Sequence, residues 1–218
     1  MKEKILIVDF GSQYTQLIAR RVRELNVYSF ILPPETSVDK ILSLNPGALI
    51  LSGGPSSIYD QNAPDFDQKI LDIDLPILGI CYGLHLLTHY NGGKVSSTGA
   101  GEYGLANINI FETENLFKGI KSPAVWMSHG DQVTKVPKGW EVLAESSNGV
   151  IAAMMNKSRS LVATQFHPEV HHTKDGIKML ENFLLEIADC QPNWTAGNFI
   201  NEQIEKIRKG SFFLFFPL

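Results

Sequence analysis

The 218-residue chain is 44% hydrophobic and 19% charged with a formal net charge of -4, which suits one substantial α/β domain and leaves no basic footprint for nucleic acid. Its two cysteines, Cys81 and Cys190, cannot build a disulfide framework; residues 1–5 carry no signal-peptide pattern, and no apolar run reaches membrane-spanning length. A reducing cytoplasm is therefore expected, where Cys81 stays a free thiol.

Residues 5–8, Ile-Leu-Ile-Val, form a continuous apolar run of the kind found in strands covered on both faces. A loop at 11–13 leads to a predicted helix over 14–25, with Leu17, Ile18, Val22 and Leu25 on one stripe. A strand at 27–32, a short helix at 38–44 and a strand at 48–51 follow. Ser52-Gly53-Gly54-Pro55 is a tight loop, residues 66–71 fit a helix, and 75–80 read as a strand running into Cys81. This alternation predicts a mostly parallel central sheet with helices on both faces and sites beyond the carboxyl ends of its strands. Further strand signals fall at 94–95, 105–111, 124–127, 140–144, 150–155 and 161–165, and are expected to add antiparallel strands. An amphipathic helix is predicted over 175–188, with Ile177, Leu180, Phe183, Leu184 and Ile187 on its apolar face. We divide the chain into a domain at 1–190 and a segment at 191–218. The latter holds a polar helix at 198–209 and the aromatic run Phe212-Phe213-Leu214-Phe215-Phe216-Pro217-Leu218. That run is too short to cross a bilayer. It is expected to pack on the domain or to be the product of a truncated or shifted frame, and no function is assigned to it.

Gly79-Ile80-Cys81-Tyr82-Gly83 places a thiol at a strand-to-helix turn. Such a turn exposes its tip residue and aims it at the first amides of the helix, which favour a thiolate. A cysteine nucleophile needs a base and a group to orient that base. Gln165-Phe166-His167-Pro168-Glu169 offers both: His167 follows a predicted strand, and Glu169 is two residues on, able to reach the imidazole. The amides of Tyr82 and Gly54 are candidate oxyanion donors, and the bare backbone at Gly53 and Gly54 lets a ligand approach. His89, His129, His171 and His172 fit no zinc spacing, so no metal is expected. Trp126 and Trp140 read as core, and Cys190 as a partly buried bystander.

These motifs together resemble the class I (triad) glutamine amidotransferases. The stretch Asp9-Phe10-Gly11-Ser12-Gln13-Tyr14-Thr15-Gln16-Leu17-Ile18-Ala19-Arg20-Arg21 is similar to the opening of the GMP synthase group. Trp126-Met127-Ser128-His129-Gly130-Asp131, and His167-Pro168-Glu169-Val170 with His172-Thr173, are similar to the same group. The resemblance covers residues 3 to about 209 and implies a flavodoxin-like fold. It further implies hydrolysis of L-glutamine to glutamate and ammonia through a thioester on Cys81, with His167 as base then acid and Glu169 holding it. Ser128, His129, Gly130 and Asp131 would hold the amino-acid end of glutamine. Ammonia would pass to an ATP-pyrophosphatase domain or subunit that aminates XMP to GMP.

Two positions depart from the family pattern. His85 stands where Gly-x-Cys-x-Gly-x-Gln ends in a substrate-binding glutamine, one helical turn after Cys81. Gly101 stands where arginine is usual. No Ser-Gly-Gly-Val-Asp-Ser phosphate loop occurs. This chain is thus expected to need no cofactor, with ATP and magnesium belonging to a partner synthetase. Nucleic acid and membrane are not expected partners. Two other readings keep the fold: a γ-glutamyl hydrolase, and a non-catalytic glutamine-sensing or docking module.

Overall fold

Strand β1 (Lys4–Val8) shows why the chain folds around a two-faced sheet. Ile5 and Ile7 enter one core cluster while Leu6 and Val8 enter the other, all at 0% exposure. That is period-2 alternation with both faces covered. The fold is seen in a computed structural model that describes residues 4–211; the aromatic run 212–218 lies outside the described residues. The order continues with α1 (Thr15–Glu24), β2 (Tyr28–Leu32), α2 (Val38–Ser43), β3 (Ala48–Leu51), β4 (Ile77–Ile80) and α3 (Tyr82–Tyr90). Next come β5 (Lys94–Ile110), β6 (Ala124–Lys135), β7 (Glu141–Ser146), β8 (Ile151–Asn156), β9 (Leu161–Thr164), α4 (Gly176–Glu181) and α5 (Ala196–Ser211).

The strands form one mixed sheet of order β2-β1-β3-β4-β9-β8-β7-β5-β6. The half from β2 to β9 is parallel, and the rest is antiparallel. The expected α/β architecture with added antiparallel strands is what the chain adopts. Chain order reverses between β1 and β3, so the crevice at their carboxyl ends is a natural ligand site. On one face, Ile18, Ala19 and Val22 of α1 pack with Met179 and Leu180 of α4; on the other, Ile41 of α2 packs with Leu84 and Leu87 of α3.

Four local readings change. Residues 66–71 are not an α-helix: a 3-10 turn covers Gln68–Asp72 instead. Its cap, Asp67, accepts from the Lys69 amide (3.1 Å) and from the Val38 amide of α2 (3.0 Å), so one carboxylate ends both short elements. The strands predicted at 94–95 and 105–111 are parts of one long strand, β5, with an irregularity between Ser97 and Glu102. The predicted helix 175–188 is α4 followed by a π-helical segment, Asn182–Ile187. Asn182 donates from Nδ2 to the carbonyls of Leu116 (2.9 Å) and Lys118 (2.8 Å), pinning this turn to the neighbouring loop. Met179, Leu180, Phe183 and Leu184 are buried while Ile177, expected inside, is 43% exposed. Trp140 is buried as expected, whereas Trp126 is half-buried with its ring 4.4 Å from that of His172. Cys190 is buried, and neither cysteine forms a disulfide.

The start of α3 is set by close backbone approach. A Cβ on Gly83 would lie 2.5 Å from the Leu51 carbonyl oxygen and 2.8 Å from the Leu51 Cβ. The Gly83 amide donates to the Ser52 carbonyl at 3.2 Å, so helix and strand are held too near for any side chain. Gly83→Ala is expected to lose about 1–3 kcal/mol of stability by overpacking. Urea unfolding followed by circular dichroism checks this; an unchanged midpoint would contradict the tight contact.

Candidate active site

Four loops at the carboxyl ends of parallel strands, joined by β6, enclose a cavity of about 600 Å³. Residues 11–14 come from the loop after β1, 54–57 from that after β3, Cys81 from the end of β4 and His167 from beyond β9. The wall opposite is 128–131 of β6. Its size and mixed polar lining suit a small polar ligand.

Cys81 lies between β4 and α3 with φ +52° and ψ -97°, a region seldom adopted by residues with a side chain. Such strain concentrates at functional sites. Its amide donates to the Thr164 carbonyl at 2.7 Å, and its carbonyl accepts from the His85 amide at 3.1 Å. The thiol is 5% exposed and donates to the Ser128 carbonyl at 3.7 Å.

His167 donates from Nδ1 to Glu169 Oε1 at 2.8 Å, and its ring also interacts with the Cys81 sulfur. Both His167 and Glu169 are buried. Burial opposes charge on the imidazole, but the Glu169 carboxylate and the Cys81 sulfur outweigh it and hold His167 well above the ordinary histidine range. The loop is pinned by Thr173, whose hydroxyl donates to the His167 carbonyl (2.6 Å) and accepts from the Trp126 amide (3.0 Å). The ring of Tyr14 meets His167 edge-on at 5.1 Å, and Arg21 Nε donates to the Glu169 backbone carbonyl at 3.1 Å. The stretch 9–21 thereby contributes two supports to the pair. Asp9 shapes the loop preceding them, accepting from the Thr15 hydroxyl (2.6 Å) and the Gly11 amide (2.9 Å).

The remaining sequence-derived residues fall as follows. Gly54 and Tyr82 line the cavity. Tyr82 opens α3, where a helix leaves its first amides without intrahelical acceptors. Gly53 lies behind the reactive groups rather than on the cavity lining: a Cβ there would sit 3.1 Å from His167 Cε1 and 3.7 Å from Cys81 Cβ. His85 lines the cavity and donates from Nε2 to Gln165 Oε1 at 3.1 Å; burial lowers its imidazole to about 4. Ser128, His129, Gly130 and Asp131 all line the cavity. The His129 side chain is held between the Asp131 carbonyl (2.9 Å) and the Glu102 carboxylate (3.4 Å). Among the described residues no group of three or more His, Cys, Asp or Glu is arranged to hold a metal.

Sequence reasoning gave no role to Tyr14, Ser57, Glu102, Tyr103 or Gln165. Ser57 donates its hydroxyl to Asp131 Oδ2, joining the β3 loop to β6. Glu102 is a buried carboxylate accepting from Ser146 Oγ (2.8 Å) and Asn148 Nδ2 (2.7 Å). Tyr103 lines the cavity while staying 74% exposed. Gln165, in the motif around His167, and Tyr14, in the stretch 9–21, carried a signal.

The chain matches the family model for glutamine amidotransferase class-I over residues 6–187. It is 51% identical over 208 residues to the GMP synthase [glutamine-hydrolyzing] of Brachyspira hyodysenteriae, covering 95% of this chain and 40% of that protein. The corresponding Aquifex aeolicus protein is 49% identical, with 95% and 41% covered. The chain thus spans about two-fifths of the length of these curated relatives. A Thermoplasma acidophilum protein assigned as one subunit of a GMP synthase has a crystal structure similar to this one. Its TM-score is 0.75 at 31% identity, covering 87% of this chain and 95% of that one. A glutamine amidotransferase from Thermotoga maritima shares the fold at TM-score 0.67 and 17% identity, with 86% and 99% covered. From the glycine-flanked cysteine, the buried His-Glu pair and these matches together, the chain belongs to the class I glutamine amidotransferase family.

Proposed function

We propose that this chain hydrolyses the side-chain amide of L-glutamine and supplies the ammonia to an ATP-pyrophosphatase domain or subunit that aminates XMP to GMP. The observation carrying the reading is the strained Cys81 beside an imidazole that a buried carboxylate keeps protonated. An imidazolium next to a thiol is the pairing that readies a cysteine nucleophile.

In the reactive form the ring proton stays on His167 and Cys81 is the thiolate, the two making an ion pair. The sulfur attacks the amide carbon, and the carbonyl oxygen takes up negative charge facing the Tyr82 and Gly54 amides. His167 then protonates the amide nitrogen as the carbon–nitrogen bond breaks, and ammonia leaves. In the second half, water gives a proton to the now neutral His167 and attacks the thioester, releasing glutamate and restoring the thiolate–imidazolium pair. Glu169 holds the ring in one orientation and supports its positive charge throughout. Ser128 to Asp131 and His85 would contact the amino-acid end of glutamine, while Gly53 admits the ring of His167 behind the sulfur. Residues 1–190 form the amidotransferase domain in this reading and 191–218 a linking segment. ATP and magnesium act on the partner. A thiol nucleophile needs reducing conditions, and we place the protein in the cytoplasm; among the described residues no helix is long and apolar enough to cross a membrane.

Ammonia release from L-glutamine tests the reading. Cys81→Ala is expected to lower it by roughly a thousandfold or more, and mass spectrometry of the wild type quenched with glutamine should find the acyl group on Cys81. Equal ammonia release by wild type and Cys81→Ala would sink the proposal, and thioester formation from γ-glutamyl peptides but not glutamine would shift it to a hydrolase. A second test addresses the His-Glu pair. In Glu169→Gln the main attraction holding the proton is gone and burial dominates, so the His167 titration, followed by NMR, should fall by about 1–3 pH units. An unmoved titration would mean that Glu169 does not support the charge.

A further inference from the structure

Gln165 is a fully buried amide that the steps above leave without a task. It directly follows β9, and its backbone amide donates to the Ala152 carbonyl of β8 at 2.8 Å, which fixes the main chain. The side chain bridges two residues of the cavity: Nε2 lies 3.8 Å from Cys81 Sγ, and Oε1 lies 3.1 Å from His85 Nε2.

A carboxamide donates only from nitrogen and accepts only at oxygen. His85 is neutral at physiological pH because it is buried, so its ring carries one proton. With that proton on Nε2, Oε1 of Gln165 must face His85, and the Nε2 hydrogens are turned toward the sulfur. The reversed amide would need the ring proton on the other nitrogen, which faces the Asp131 backbone, and would set an oxygen against the sulfur. The Ser128 carbonyl, 3.7 Å from Sγ, accepts a hydrogen bond that only the protonated thiol can make. A donor, by contrast, favours the anion, since hydrogen bonds to ionised groups are the stronger ones.

We propose that Gln165 is a further catalytic residue whose Nε2–H stabilises the Cys81 sulfur anion, and that His85 is a positioning residue holding the amide in that orientation. The inference rests on Cys81 being the nucleophile. It gives position 85 a task that needs no contact with glutamine. The other charged or titratable groups around this cavity are His167 with Glu169 behind it, His129 and Asp131 of β6, Asp60, Tyr14, Tyr82 and Tyr103. All of these stay in place when Gln165 is changed, so the comparison isolates the amide.

The test is the rate of Cys81 alkylation by iodoacetamide without glutamine, measured from acid to alkaline pH, with the labelled cysteine identified by mass spectrometry. Gln165→Leu is expected to slow alkylation about tenfold at neutral pH, with the deficit closing at alkaline pH where the thiol ionises unaided. Gln165→Glu should slow it at least as much, because a carboxylate beside the sulfur repels the anion. His85→Leu should give an intermediate loss, and His85→Gln should restore the wild-type profile. Wild-type rates in folded Gln165→Leu, or in the nearly isosteric Gln165→Glu should the first fail to fold, would overturn the role of Gln165. A His85→Leu variant with raised KM for glutamine but an unchanged alkylation profile would overturn the anchoring role. Because the assay needs no glutamine, absence of ammonia release by the wild type would count against the amidotransferase reading separately.

Discussion

The hydrogen bond from the Cys81 amide to the Thr164 carbonyl, 2.7 Å long, sews the end of β4 to the end of β9. It continues a parallel ladder that runs from Ile77 opposite Leu161 to Ile80 opposite Thr164. The thiol and the loop bearing His167 therefore leave the sheet from neighbouring strands at the same level. Main-chain pairing thus brings together segments far apart in sequence, and side chains such as Thr173 and Arg21 then pin the loop. The same bond helps hold Cys81 at φ +52°, a conformation costing on the order of 1–3 kcal/mol that persists only where surroundings over-determine it. The Gly83 amide on the Ser52 carbonyl, and the His85 amide on the Cys81 carbonyl, supply the remaining restraint.

Electrostatics decides what that placement achieves. Glu169 is fully buried, its Oε1 accepting from His167 while Oε2 has no hydrogen-bond partner among the described residues. An isolated carboxylate in such a place costs several kcal/mol. The imidazolium is its compensation, and the ring stays charged despite its burial. His85, equally buried but facing a neutral amide, is driven the other way. Two histidines near one sulfur thus hold opposite charge states because of what each one faces. One is fit to exchange a proton with the sulfur, the other only to orient.

What could be read in the sequence follows the range over which each signal acts. The apolar runs of β1, β3 and β4 are local and strong, and the sheet follows them. The glycine-flanked cysteine and the His-Pro-Glu loop are compact motifs, and the fold brings them together. Periodicity failed at 182–187, where the helix widens into a π segment beside two loop carbonyls that Asn182 holds, and at Ile177, which lies at the edge of the buried stripe. The 3-10 turn at 68–72 was hidden because one aspartate serves two elements. Glu102 and Ser57 have no local signature at all, since their partners lie in distant segments.

The cavity has two walls of different origin, and this separates chemistry from recognition. The parallel half supplies sulfur, imidazole, carboxylate and the candidate oxyanion amides from strand ends fixed by main-chain pairing. The antiparallel half supplies 128–131, which pair with β5 and are further tied by side chains: Ser57 reaches Asp131, and Glu102 reaches His129. Gly101 belongs to this second wall. A Cβ there would collide with the His129 carbonyl, so the glycine is what lets β5 buckle against β6, turning Glu102 inward and leaving Tyr103 at the mouth. An arginine at 101 requires a different course for this stretch of β5. The departure at 101 therefore reshapes the recognition wall, from which the Ser128 carbonyl reaches the sulfur, while leaving the ladder between β4 and β9 in place.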